Sequence, residues 1–274
     1  MRIAFLYSAQ DVAGANLARA IRSLVDSTTQ WPATPFLCEL AWSLGSVDAA
    51  LLRAEDDVID LEEADLARCG ADEIVFLSRH SSRSGERCVC VHAIGNFGTA
   101  QLGGRDGMLV PVRPARLTQI TRALVGNEER LETYRVSLEA THHGPYTRIP
   151  SVFLEIGSDM ESWKDEGIAD VIAKIVVETL QRPIEAREAC FGIGGNHYCA
   201  SFMPLIERFD FAGACANFNC GDLSEEHIEQ IRTFADTFVV DDRNLGRHKR
   251  HVHEVLEQTK APYVRVRDLR ISHP

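Results

Sequence analysis

A chain of 274 residues with 45% apolar content can bury a large core, as one big domain or two modest ones. Its formal net charge of -11 excludes a generic polyanion binder, so any nucleic acid would have to be gripped at a local patch. The eight cysteines include no CxxC pair and lie mostly in apolar, strand-like context. That favours small buried thiols over a disulfide scaffold or a four-cysteine zinc site.

Strand and helix signals alternate along the chain, which predicts an α/β fold with a parallel or mixed sheet. Residues 2-7 read as a buried first strand. Caps at Ser8 to Asp11 then precede Ala13, Leu17, Ala20, Ile21 and Leu24 at helical spacing. The N-terminal apolar run is too short for a signal peptide, and no stretch reaches membrane-spanning length, so a cytoplasmic protein with no membrane partner is expected. Ile74 to Leu77 and Cys88 to Val91 read as strands joined by a polar loop. Residues 115-126 read as a helix, 134-141 as an alternating strand, Val152 to Ile156 as a buried strand and about 165-181 as a long helix. Gln181-Arg182-Pro183 is the best break. Beyond it come strands at 188-193 and 211-216, a helix at 224-234, a strand at Phe238 to Val240, a helix at 246-258 and a short strand at 263-266. The expected organisation is a single α/β domain over 1-274, with a possible C-terminal subdomain at 184-274.

Polar clusters stand at five predicted strand ends. They begin at Ser78-Arg79-His80, His92, His142-His143, Glu155 and Gly192-Ile193-Gly194-Gly195-Asn196-His197-Tyr198. One such cluster means little, because loops are polar anyway. Five, with histidine in four, predict one shared cleft. Neighbours on a strand face opposite ways, so of His142 and His143 one imidazole is expected toward the core and the other toward the cleft. As zinc ligands, His92, His142, His143, His197 and Glu155 supply the N and O donors of an open catalytic site, though no HxxxH or HExxH spacing gathers them. Without metal, a histidine would act as general base while glycine-rich amides hold an oxyanion. The glycine run also resembles half a phosphate-binding loop, with a tight strand-helix connection as the bland alternative. Arg243, Arg247 and Arg250 recur at i, i+4, i+7. They make one basic face if the helix starts early enough, and otherwise belong to an ordinary solvated surface. His248, His251 and His253 form a weaker metal pattern beside them.

In matching order, Ser78-Arg79-His80, His92 with Gly95-Asn96, Thr141-His142-His143-Gly144-Pro145, Phe153 to Ser158 with Trp163, and Gly194-Gly195-Asn196-His197-Tyr198 resemble the archaeal-type D-aminoacyl-tRNA deacylases. The resemblance runs from residue 2 to about residue 266. It implies a three-layer α/β/α fold with a mixed sheet, phosphorylase/hydrolase-like and akin to peptidyl-tRNA hydrolase. It also implies hydrolysis of the ester between a D-amino acid and the terminal ribose of tRNA, and a zinc requirement.

On that basis His80, His142, His143 and His197 are the expected catalytic groups, and His92, His142, His143 and Glu155 the expected metal ligands. The Gly194, Gly195 and Asn196 amides are expected near the oxyanion, with Arg243, Arg247 and Arg250 on the acceptor stem of a D-aminoacyl-tRNA bound by a monomer. Ligand, base and positioning group stay open for each histidine, and a rival route uses the ribose 2′-hydroxyl of the substrate. Two other functions remain open: a metal-dependent or peptidyl-tRNA hydrolase on the same fold, and a non-catalytic nucleotide or RNA-binding module.

Overall fold

In a computed structural model, which describes residues 1–269, the chain begins with β1 (Arg2–Ser8), α1 (Val12–Leu24), β2 (Leu37–Leu44), β3 (Val47–Ala54), α2 (Glu63–Leu66) and β4 (Glu73–Ser81). There follow β5 (Cys88–His92), α3 (Pro114–Val125), β6 (Arg135–Leu138), β7 (Ser151–Ser158), α4 (Met160–Trp163) and α5 (Glu166–Leu180). The last stretch holds β8 (Glu188–Ile193), β9 (Phe209–Cys215), α6 (Glu225–Arg232), β10 (Thr237–Val240), α7 (Lys249–Gln258) and β11 (Tyr263–Arg265). Every strand and helix read from the pattern is present. The hairpin β2–β3 was not anticipated; it turns through Gly45 at φ 66° and pairs antiparallel.

Seven strands form a mixed sheet in the order β2-β3-β1-β4-β7-β5-β6, and four parallel strands form a second in the order β11-β10-β8-β9. β1 is central and apolar on both faces, as a strand covered on both sides must be. Its Ile3, Phe5 and Tyr7 join Val75, Leu77, Val152 and Leu154 in a core roofed by α1, α3 and α5, which continues without a gap into β8, β9, α6 and α7. Its Ala4 and Leu6 join Ile74, Phe76 and Phe153 on the opposite face, covered by α2, a 3-10 turn at Val58–Asp60 and the side chains of Phe36 and Val110. Helices on both sides of a mixed sheet make the expected three-layer α/β/α arrangement. Each fully buried Leu or Phe in it contributes about 1.5–3 kcal/mol.

Three boundaries that differ from the sequence reading matter to the site. The strand expected to end at Leu77 runs on to Ser81, so Ser78 and His80 belong to β4 and not to a loop. The strand expected over 134-141 ends at Leu138. Past Glu139 the backbone leaves β5: Ala140 donates to the His197 carbonyl (2.8 Å) and Thr141 to that of Ala214 (2.8 Å), joining the two sheets. The helix expected from 246 opens as a 3-10 turn at Gly246–His248 and is α-helical only from Lys249.

Candidate active site

Strand register lays a polar stripe across one face of the large sheet. Ser78 pairs with Glu155 and Glu155 with Cys90, while His80 pairs with Gly157 and Gly157 with Cys88. His92 pairs with Phe153, and Glu139 continues β6 with its amide on the Val91 carbonyl (3.1 Å). Alternate residues share a face, so His80, Cys88, Cys90, His92, Glu139 and Glu155 project together. A Cβ at Gly157 would stand 2.7 Å from the His80 side chain, so the missing side chain there is what lets His80 lie across β7 toward β5. The expected site at strand ends is therefore a site on a strand face.

His142 and His143 come to the same place. The backbone of His143 has φ 44°, in the left-handed region, which undoes the alternation assumed for a strand. Instead of facing opposite ways, the two rings lie 4.3 Å apart, and those of His92 and His142 4.2 Å apart, with His197 4.8 Å from His142. Phe153 stacks under His92 at 5.1 Å and floors the cluster.

A carbonyl can only accept, so contacts from Nδ1 of His92 to the Ala93 carbonyl (3.0 Å), of His142 to Ala140 (2.8 Å) and of His143 to Gly144 (2.6 Å) put the proton on Nδ1 in each ring. In the neutral rings that leaves the Nε2 lone pairs free, the tautomer that metal-binding histidines use.

Two buried carboxylates face these rings. Glu155 places Oε1 3.7 Å from His92 Nε2 and 3.9 Å from His143 Nε2, with Oε2 3.7 Å from His80 Nδ1. Glu139 Oε1 lies 3.3 Å from His80 Nδ1 and 3.6 Å from His197 Nε2. Burial would raise Glu155, but His143, His80 and His92 hold it well below the usual carboxylate range. Burial and the neighbouring His92, His143 and His197 push His142 well below the ordinary imidazole value, so its ring is neutral at pH 7. Burial also lowers His197, with Glu139 opposing. His80 is raised despite burial, by the Cys88 thiol and the two carboxylates, and His92 is raised despite burial by Glu155 and Glu139. The Cys88 thiol falls to about 6, first through Cys90 and, against burial, through His80.

Four triplets of donors lie mutually within 4.8 Å: His92/His142/His143, Glu139/His142/His197, His80/Glu139/Glu155 and His80/Cys88/Cys90. His80 Nε2, His92 Nε2 and both oxygens of Glu139 are buried without a hydrogen-bond partner. An orphaned buried polar group costs about 1–3 kcal/mol, so four in one cluster mark a place built for a charged or ligating guest. A cleft of about 520 Å³ opens onto His142 and His143, lined further by Gly95, Asn96, Leu102 and Phe218.

Of the residues expected from sequence, His80, His92, His142, His143, His197 and Glu155 assemble here; Glu139 was missed. The glycine run is a strand-to-turn connection with no helix opening directly behind it. The Gly194 amide donates to the Cys215 carbonyl (2.8 Å), so it cannot also hold an oxyanion as expected, while Gly195 and Asn196 lead directly to His197. Arg243, Arg247 and Arg250 do not share a helical face. Arg243 follows β10 in a turn, Arg247 lies in the 3-10 turn and Arg250 alone is in α7, where it pairs with Glu254. His248, His251 and His253 diverge. The ring of His248 lies over Gly221, His251 bonds to the Leu223 carbonyl (2.8 Å) and His253 packs on Tyr263.

Residues 67–264 match the family model described as D-aminoacyl-tRNA deacylase. The D-aminoacyl-tRNA deacylase of Cenarchaeum symbiosum is 33% identical over 193 residues, 68% of this chain and 74% of its own length. That of Picrophilus torridus is 33% identical over 172 residues, 62% of each chain, and that of Methanoculleus marisnigri 37% identical over 201, covering 72% of this chain and 42% of its own. The chain thus matches from about two fifths to three quarters of these relatives' lengths. The crystal structure of a conserved protein of unknown function, AF0625, superimposes with a TM-score of 0.82 at 24% identity, covering 98% of this chain and 96% of that one.

Proposed function

The chain belongs to the D-aminoacyl-tRNA deacylase family, and from that premise we propose that it hydrolyses the ester joining a D-amino acid to the terminal ribose of tRNA. The products are the free D-amino acid and tRNA, and the role is proofreading in translation. The observation that carries the reading is the convergence of four imidazoles on two buried carboxylates beside an open cleft. A binding module has no use for such a cluster; recognition alone calls for arginine, lysine and aromatic groups.

Zinc fits the residues at His92, His142, His143 and Glu155. They offer three imidazole nitrogens freed by their tautomers and one carboxylate, with His92 Nε2 buried and unpartnered. Bound there, zinc would supply Lewis acidity and a water more acidic than in bulk. His197 stands at the rim with its Nε2 toward Glu139, suited to take the proton of the attacking water while the carboxylate steadies the imidazolium. Water oxygen bonds to the ester carbon, the carbon–ribose oxygen bond breaks, and the leaving ribose oxygen regains that proton. The amides of Gly195 and Asn196, just before His197 in the chain, would hold the oxyanion. His80, wedged between Glu139 and Glu155, orients both carboxylates.

Arg243, Arg247 and Arg250, all exposed, offer the acceptor stem separate phosphate contacts, which suits an acidic protein that touches few phosphates. We read the chain as a cytoplasmic monomer and one α/β domain over 1-274 with a subdomain at 184-274; the core shared by both sheets supports the single domain.

Deacylation of D- and L-tyrosyl-tRNA before and after chelation tests the reading, with an N-blocked peptidyl-tRNA as third substrate. The expected result is release of D-tyrosine alone, lost on chelation and restored by zinc. Release of only the peptidyl group, or of none, overturns it.

A further inference from the structure

Leu102 and Phe218 are the most exposed large apolar side chains among the described residues, at 60% and 57%. A single apolar side chain on a surface needs no explanation. These two stand in the wall of one cleft, the opening of about 520 Å³ onto His142 and His143. Exposing both at that place points to a guest that covers them.

Hydrogen bonds fix the turn that carries Phe218. It follows β9 directly and is closed by Asn219 N donating to Ala216 O (2.9 Å) and Asp222 N to Asn219 O (3.0 Å). Asn217 N donates to Gly195 O (3.0 Å), which ties the turn to the loop carrying His197. The rings of Phe218 and His197 lie 6.2 Å apart. A ring held at a set distance from the reacting groups suits a part of the substrate at a set distance from the ester. The terminal base of tRNA is such a part, because one ribose separates it from the acyl group.

The chemistry of the wall favours a neutral ring. No arginine or lysine lines the cleft and Asp222 does, which disfavours a phosphate or a carboxylate as guest. An aromatic face stacks any base, and the side-chain amides of Asn219 and Gln101 offer the paired donor and acceptor that an adenine edge takes.

We propose that this cleft seats the terminal adenine of tRNA, stacked on Phe218, read at its edge by Asn219 and Gln101, with Leu102 as further apolar wall. The identity of the guest rests on the deacylase reading. Phe218 supplies binding that is equal before and during reaction, so its loss belongs in KM.

Binding of the trinucleotide CCA to the full chain, followed by calorimetric titration, needs no turnover and so reads the subsite separately from deacylation. CCA should bind more tightly than CCU. Phe218→Leu, which stays apolar and loses the aromatic face, should weaken CCA binding about 5–150-fold, and Phe218→Tyr should restore it. Asn219→Ala/Gln101→Ala should erase the preference for CCA over CCU. In turnover, Phe218→Leu should raise KM with kcat little changed, for D-tyrosyl- and D-alanyl-tRNA alike. Phe218-dependent binding of CCA by a chain that releases no D-tyrosine would keep the subsite and remove the deacylase reading. No binding of CCA, equal binding of CCA and CCU by the wild type, or unchanged binding by Phe218→Leu overturns the proposal. A loss confined to D-tyrosyl-tRNA also overturns it, since the ring would then meet the amino-acid side chain.

Discussion

Glu139 is fully buried, with neither carboxylate oxygen hydrogen-bonded, and it touches His80 on one side and His197 on the other. In the sequence it is one polar position near the end of an alternating strand, where a solvent-facing carboxylate looks the same. Its burial depends on β6 lying beside β5 and on the loop carrying His197 folding over it. Glu139→Gln keeps the size and removes the charge that steadies an imidazolium. It should lower kcat by about 10²–10⁴-fold with little change in KM, measured on D-tyrosyl-tRNA in steady state. For the zinc seat proposed above, Glu155→Gln should in addition lower metal content, read by elemental analysis, because the carboxylate charge would offset the cation. His142 and His143 were legible as residues and not as a geometry. Alternation would have separated them, and a single left-handed residue, His143, brings both into one cluster.

At the scale of elements, the joint between the sheets decides whether the site exists. Thr141 donates its amide to Ala214 O and accepts from Ala214 N at Oγ1 (3.2 Å), which holds the chain just before His142 against β9. Gly213 has φ 129°, and a Cβ there would stand 2.4 Å from Thr141 Oγ1 and 3.0 Å from Ala93. Gly213→Ala should therefore cost about 1–3 kcal/mol, from strain at that φ and crowding at the joint, seen as a lower midpoint in urea unfolding. Hydrophobic period located β6 and β9 separately, but the contact between them is a backbone matter that side-chain pattern does not record. The basic segment teaches the same lesson. Spacing alone made Arg243, Arg247 and Arg250 one face, and a turn followed by a 3-10 turn, before α7 begins, distributes them. Alanine at all three should raise KM and flatten its salt dependence, each lost phosphate contact removing about 0.9 from the slope of log affinity against log salt. An unchanged slope would remove these arginines from the tRNA site.

For the whole molecule, α3 is tied to the sheet by a buried pair: Arg116 Nε lies 3.5 Å from Glu73 Oε1, both side chains about 2% exposed or less. Burial raises Glu73, opposed by Arg116 and Arg113, so the pair persists only while both partners are present. Without Arg116, Glu73 keeps only Arg113, an exposed partner 3.5 Å away, and its buried charge is poorly compensated. Arg116→Met should cost about 3–5 kcal/mol, and the double variant Glu73→Leu/Arg116→Met much less, which a double-mutant cycle in chemical denaturation would measure. α3 also packs on β9, so such loosening should reach the joint between the sheets and lower activity at temperatures below the unfolding transition.

Sequence by itself determined the class of fold, the order of the elements and the chemical inventory of the site. Hydrophobic period and turn residues are local properties, and imidazoles and carboxylates announce their chemistry wherever they stand. Ordered motifs were enough to point to the family. Tertiary structure alone decided which of these groups meet. Register across β4, β7 and β5 set His80, Glu155, Cys88 and Cys90 on one face, and the absent side chain of Gly157 opened the way between them. Pairing register and backbone twist are long-range outcomes of burying the whole sheet. Glu139 acquired its meaning only once distant strands had been laid side by side.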